Sequence, residues 1–177
     1  VPMRRLAKKY GFPPVFAKNE AMNPTGSFKD RGTSLAVQKA LAMGIRKIGT
    51  VSTGNMAAST AAYGAKADLE TFVLLKQDAT PEKTLSTGLH GAVVLRVQGD
   101  YARTFTRSYE IGRKYGIFFI NSVDPLRIEG YKTEGFEIFS QLAGRTPRYI
   151  VVPVSSGGNL IGIMRSFLDL KQEGLAE

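Results

Sequence analysis

The chain contains no cysteine and no tryptophan, and its only histidine is His90. The missing cysteines exclude disulfide scaffolds and thiolate chemistry. One histidine excludes a histidine metal cluster, so no metal site is expected. It also leaves a serine–histidine triad a single candidate with no supporting motif. No apolar run is long enough to cross a bilayer, and no signal-peptide pattern opens the chain. No zinc-finger or RRM signature, internal repeat or low-complexity linker is visible. Neither a G-x-x-x-x-G-K-[ST] phosphate loop nor a G-x-G-x-x-G dinucleotide fingerprint occurs.

What remains is an ordinary globular composition, 43% hydrophobic and 22% charged over 177 residues, enough for one domain or two small ones. The net charge is +9, from 24 basic and 15 acidic residues. That balance suits nucleic acid, an anionic small molecule or a solvated surface. The basic residues are scattered except in "MRRLAKKY", whose Arg4, Arg5, Lys8 and Lys9 read as the polar face of a short helix.

Short apolar stretches alternate with helical patterns along the chain. Strands are expected at 14–18, 47–52, 70–75, 92–97, 117–120 and 149–154. Helices are expected after each of them, with limits near 101–115, 127–142 and 158–171 for the last three. The alternation predicts an α/β fold with largely parallel sheets. Two strands run into polar, glycine-bearing loops that open helices, "VSTGNMAAS" from residue 51 and "VPVSSGGNLIG" from residue 152. Such loops lie at the carboxyl ends of parallel strands, where free backbone N–H groups and helix dipoles suit anions. By itself "SSGGN" reads equally as a phosphate loop or a tight turn.

The stretch "NPTGSFKDRG" (residues 23–32) starts another helix after a turn rich in capping residues. Lys29 falls in its first turn, where the helix dipole disfavours an ammonium and lowers the amine's pKa. A neutral amine is what a Schiff-base lysine needs. The position alone still reads more simply as a surface lysine.

In order and spacing, "NPTGSFKDRG", "STGNMAAS", "NSVDPLRIEGYKT" and "VPVSSGGNLIG" resemble the threonine synthases, pyridoxal-phosphate enzymes of the tryptophan-synthase-β fold group. The resemblance runs from about Pro13 to Gly162. It implies a fold type II pyridoxal-phosphate enzyme with three-layer parallel-sheet lobes. The smaller lobe would span 20–130, and 1–19 with 131–177 would belong to a larger, truncated lobe, since family members are about twice as long. It implies that Lys29 carries the cofactor as a Schiff base and acts as catalytic base. Phe28 would line the cofactor, Asn55 would hydrogen-bond its phenolic oxygen, and Ser155, Ser156, Gly157, Gly158 and Asn159 would cradle its phosphate. Ser52, Thr53 and Gly54, with Asn55, would receive the substrate carboxylate. Ser122 and Arg127, with Asn121 nearby, would hold the phosphate of O-phosphohomoserine.

The implied reaction converts O-phosphohomoserine and water to L-threonine and phosphate in the cytoplasm, with no nucleic-acid or membrane partner and a homodimer left open. Two positions depart from the family pattern: Met56 replaces a common threonine, and "SSGGN" replaces "GNGGN"-type loops. The rival readings are a threonine or serine dehydratase or a cysteate synthase on the same scaffold, and a non-catalytic anion- or nucleic-acid-binding module.

Overall fold

The computed structural model describes residues 1–176, and for 82–84 and 86 the backbone alone. Four parallel strands form one sheet: β1 (Lys47–Val51), β2 (Glu70–Lys76), β3 (Val93–Val97) and β4 (Phe118–Phe119), in the order β3-β2-β1-β4. The register pairs Gly49 with Phe72 on one side and with Phe119 on the other. Seven helices accompany the sheet: α1 (Arg4–Tyr10), α2 (Lys29–Ala42), α3 (Asn55–Lys66), α4 (Pro81–Gly88), α5 (Tyr101–Tyr115), α6 (Pro125–Gln141) and α7 (Gly158–Gln172).

Alternation along the strands explains the two-sided burial. Ile48 packs with Ala36, Val37 and Ala40 of α2, and Val73 and Leu75 pack with Ala57 of α3. Val51, Leu74 and Phe119 point the other way, toward Ile111 of α5. Both faces are thus covered, as parallel sheets require. The order also creates a switch point. From β1 the chain proceeds outward through β2 and β3, then returns to place β4 on the other side of β1. Ligands bind beyond the carboxyl ends of strands at such a point.

Two expected strands are absent. The 14–18 stretch makes only an isolated antiparallel bridge, Phe16 to Pro2, because Pro14 brings no N–H to a ladder. Residues 149–154 form no strand either: among the described residues none pairs with them, and Val151 is 96% exposed. A buried parallel strand draws its hydrogen bonds and its cover from neighbours. Leu160, Met164 and Leu168 continue this apolar surface, one turn apart along an exposed face of α7. A 3-10 turn at Glu20–Met22, unforeseen in the sequence, precedes the lysine turn. Helix α1 buries no residue.

Candidate active site

The turn before α2 is organised by the acid beside the lysine. Asp30, 1% exposed, accepts from the Thr25 backbone N–H at 2.7 Å and from the Thr25 hydroxyl at 2.6 Å. Arg31 points the other way and forks onto Glu20 and Glu137 of α6, with Nη1 also donating to Thr133 at 3.0 Å. Asp30 and Arg31, which follow Lys29, are therefore engaged elsewhere. Its Nζ lies 4.5 Å from the Phe28 ring centroid and 5.8 Å from that of Tyr131. Burial, followed by the nearby Arg127 charge, lowers the Lys29 pKa to about 8.

The other sequence-predicted residues divide into two groups. The first faces the switch point. Ser52 and Thr53 are half-buried, and Gly54 and Asn55 exposed, at an α3 N-terminus that no side chain caps. Ser122 follows β4, its hydroxyl 3.8 Å from the Met56 sulfur. Gly157 adopts a left-handed φ of 85°, which a side chain would strain, and leads into α7, again with no side-chain cap. Ser155 and Ser156 are exposed, while the Asn159 Oδ1 is buried without a partner. A side chain at Gly158 would stand 3.4 Å from the Tyr131 ring and 3.5 Å from the Ser122 carbonyl oxygen. Tyr131 thus touches both the Lys29 region and the first residue of α7.

The second group, Asn121 and Arg127, lies inside the protein, hydrogen-bonded to its own elements. Asn121 is fully buried: its Oδ1 accepts from Val51 N–H at 3.0 Å and its amide donates to Ser108 Oγ at 3.0 Å. Arg127 is 0% exposed. Its Nε donates to the Ile120 carbonyl at 2.7 Å, Nη1 to Thr33 Oγ1 at 2.7 Å and Nη2 to Thr60 Oγ1 at 2.9 Å. A buried guanidinium needs such partners. In this arrangement it ties α2, α3, α6 and the end of β4 together. Thr33, Thr60 and Tyr131 were not recognised from the sequence. The signal was there for Tyr131, an aromatic inside "NSVDPLRIEGYKT", but only folding brings it against three distant glycines.

The arrangement can hold a phosphate-bearing aldehyde. An amine with a lowered pKa shares the Tyr131 ring with the uncapped α7 N-terminus, and the buried Asn159 Oδ1 lacks a partner. Among the described residues, no group of acidic or histidine side chains could hold a metal ion.

The profile of the family described as "Pyridoxal-phosphate dependent enzyme" matches residues 1–174, and the chain belongs to that family. More particularly, it is 40% identical over 174 residues to the threonine synthase of Methanosarcina acetivorans, across 98% of this chain and 43% of that protein. It is 38% identical over 179 residues to the threonine synthase of Halalkalibacterium halodurans, across 98% of this chain and 49% of that one. The chain spans somewhat less than half the length of these curated relatives. Among solved structures, the processed threonine deaminase isoform 2 of Solanum lycopersicum superposes with a TM-score of 0.86 at 24% identity, across 97% of this chain and 47% of that one. A pyridoxal 5'-phosphate-dependent aspartate racemase gives 0.85 at 23% identity, across 100% of this chain and 54% of that one. These structures share the fold.

Proposed function

We propose that the protein carrying this chain is a threonine synthase, converting O-phosphohomoserine and water to L-threonine and phosphate. The observation that carries the reading is Lys29: a half-buried amine with its pKa lowered to about 8, at the start of α2 and in contact with the same ring as the α7 N-terminus. The threonine synthase relatives support the choice of reaction. Residues 20–130 make the smaller lobe, with 1–19 and 131–177 contributing to a larger one, and a cytoplasmic enzyme fits the soluble substrates.

Bound pyridoxal phosphate supplies an electron sink for negative charge at the substrate α-carbon. Lys29 Nζ would hold the cofactor as a Schiff base and, freed when the substrate amine takes its place there, would take protons from Cα and Cβ. The γ-phosphate leaves with its C–O bonding pair, water adds at Cβ, and protons are returned at Cγ and Cα. The loop Ser52–Asn55 at the α3 N-terminus receives the substrate carboxylate, and Asn55 also holds the cofactor's phenolic oxygen. Phe28 flanks the cofactor, and the residues from Ser155 to Asn159 hold its phosphate on α7. Ser122 contacts the substrate phosphate, while Arg127 and Asn121 support the loops from within.

Borohydride reduction tests the reading. Reduction should fix pyridoxal phosphate to the wild type and not to Lys29→Ala, and turnover of O-phosphohomoserine should vanish in that variant. Covalent fixation that survives in Lys29→Ala refutes the lysine assignment. Preferential turnover of threonine or O-phosphoserine by the wild type instead establishes a dehydratase or a cysteate synthase.

A further inference from the structure

Helices α6 and α7 press closely together. A Cβ at Gly135 of α6 would collide with the Ser166 hydroxyl, and one at Gly162 of α7 would come within 2.5 Å of Tyr131 Cβ. Beside these contacts Glu134 of α6 is 6% exposed. The side-chain amide of Asn159, the second residue of α7, hydrogen-bonds to its carboxyl. Two oxygens of this pair are left over: Glu134 Oε2 and Asn159 Oδ1 are both buried without a partner. A carboxylate only accepts, so while Glu134 is ionised neither oxygen can serve the other. The surroundings disfavour that ionised form. Burial above all, then the like charge of Glu20, pushes the carboxyl above its usual range, against smaller opposing effects of the Asn159 amide, Arg31 of α2 and Lys18. Arg31 is already paired with Glu20 and Glu137, and Lys18 with Glu137.

We propose that Glu134 is protonated in the folded protein and forms an acid–amide pair with Asn159, which makes it a positioning residue for the phosphate loop. Its Oε2–H donates to Asn159 Oδ1, while the Asn159 amide donates to the other carboxyl oxygen. One proton thus satisfies both leftover oxygens. The pair ties the first turn of α7, which no side chain caps, to α6. It also keeps a negative charge away from a helix start suited to phosphate. The inference rests on the proposed role of residues 155–159 in holding the cofactor phosphate.

The test compares two variants of the full-length protein. Glu134→Gln supplies the same donor and acceptor without a titrating proton, and Glu134→Ala supplies neither. Infrared spectra of the cofactor-free wild type at about pH 6, where an ordinary glutamate is ionised, should contain a carboxylic-acid C=O band that Glu134→Gln lacks. Above the ordinary value of 4.5 the folded carboxyl keeps its proton while the unfolded one has lost it. The wild type should therefore lose stability as pH rises, until the folded carboxyl ionises too, and Glu134→Gln should lack this part of the melting profile. Equilibrium binding of pyridoxal phosphate reads the positioning role. Glu134→Gln should match the wild type at the acid end of the profile. As Glu134 ionises, wild-type affinity should fall about threefold to tenfold relative to that variant, the size of one charge at a helix start. Glu134→Ala should bind more weakly than Glu134→Gln at every pH. A wild type without the acid band, a Glu134→Gln protein that does not fold, or identical pH profiles of binding in the two overturns the proposal. If the wild type takes up no pyridoxal phosphate, the proposed function fails, while the infrared band and the melting profile still decide the protonation of Glu134.

Discussion

Lys29 illustrates how much depends on a single environment. Its amine is depressed by burial first and by Arg127 second. An amine that is neutral in half the molecules near pH 8 attacks an aldehyde far faster than an ordinary surface lysine. The rate of pyridoxal-phosphate capture should therefore rise with pH through about 8 and level off above it, followed by absorbance after mixing. The same shift has a consequence for folding. Between about 8 and the ordinary lysine value of 10.5 the unfolded chain binds more protons at this site than the folded one, so stability should increase with pH across that window. Lys29→Met should flatten this part of a plot of melting temperature against pH. Arg127 makes the complementary case. Removing it leaves the Ile120 carbonyl and Thr60 Oγ1 without this donor, leaves Thr33 Oγ1 with Ser59 alone, and opens a cavity. Arg127→Ala should cost roughly 3 kcal/mol or more in urea unfolding. A stability near wild type with activity lost only on phosphorylated substrates would return Arg127 to the substrate.

Between elements, α2 and α6 cross backbone to backbone beside the Lys29 turn. A Cβ at Gly130 would lie 2.4 Å from the Arg31 carbonyl oxygen and 2.8 Å from Gly32 Cα, both rigid backbone. Gly130→Ala should destabilise the protein by about 1–3 kcal/mol and disturb the Lys29 turn as α2 shifts, measurable as a lower melting temperature with weaker cofactor binding. The crossing is also tied by charge. Glu137 of α6 pairs with Arg31 and Lys18, and the Arg31 hydrogen bond above all holds its carboxyl down at about 2. Its contribution to stability is complete above the usual carboxylate range and should disappear as pH falls from about 4.5 toward 2. Glu137→Gln should remove that part of the acid transition in circular dichroism titrations.

Across the whole molecule, the exposed apolar surface is continuous in sequence with the proposed phosphate loop. Tyr149, Val151 and Val154 are 78%, 96% and 61% exposed, and the Leu160–Met164–Leu168 face of α7 is open beside them. Surface of this kind on an isolated chain promotes association. Residues 1–177 expressed alone should sediment as self-associated species and turn over no substrate. A monodisperse, fully active monomer would contradict this.

The helix over Tyr101–Tyr115, strands β1 to β3 and the glycine-led start of α7 could be read from the chain, because side-chain periodicity and turn chemistry are local. Lys29 stood out through its motif and its first-turn position. What was not legible depends on distant neighbours. Residues 149–154 have the composition of a buried strand, but a strand exists only where another chain segment accepts its hydrogen bonds, and no composition encodes that neighbour's presence. Nor could the sequence show that Arg127 and Asn121, expected at the substrate phosphate, are hydrogen-bonded to Thr33, Thr60, Ser108 and Val51, residues 13 to 94 positions away. The sequence by itself determined the helices and strands β1 to β3, whose patterns are local, and the presence of a first-turn amine and of glycine-bearing helix starts. Tertiary structure decided which polar groups are consumed in holding those elements together, because that allocation depends on distances that only packing sets.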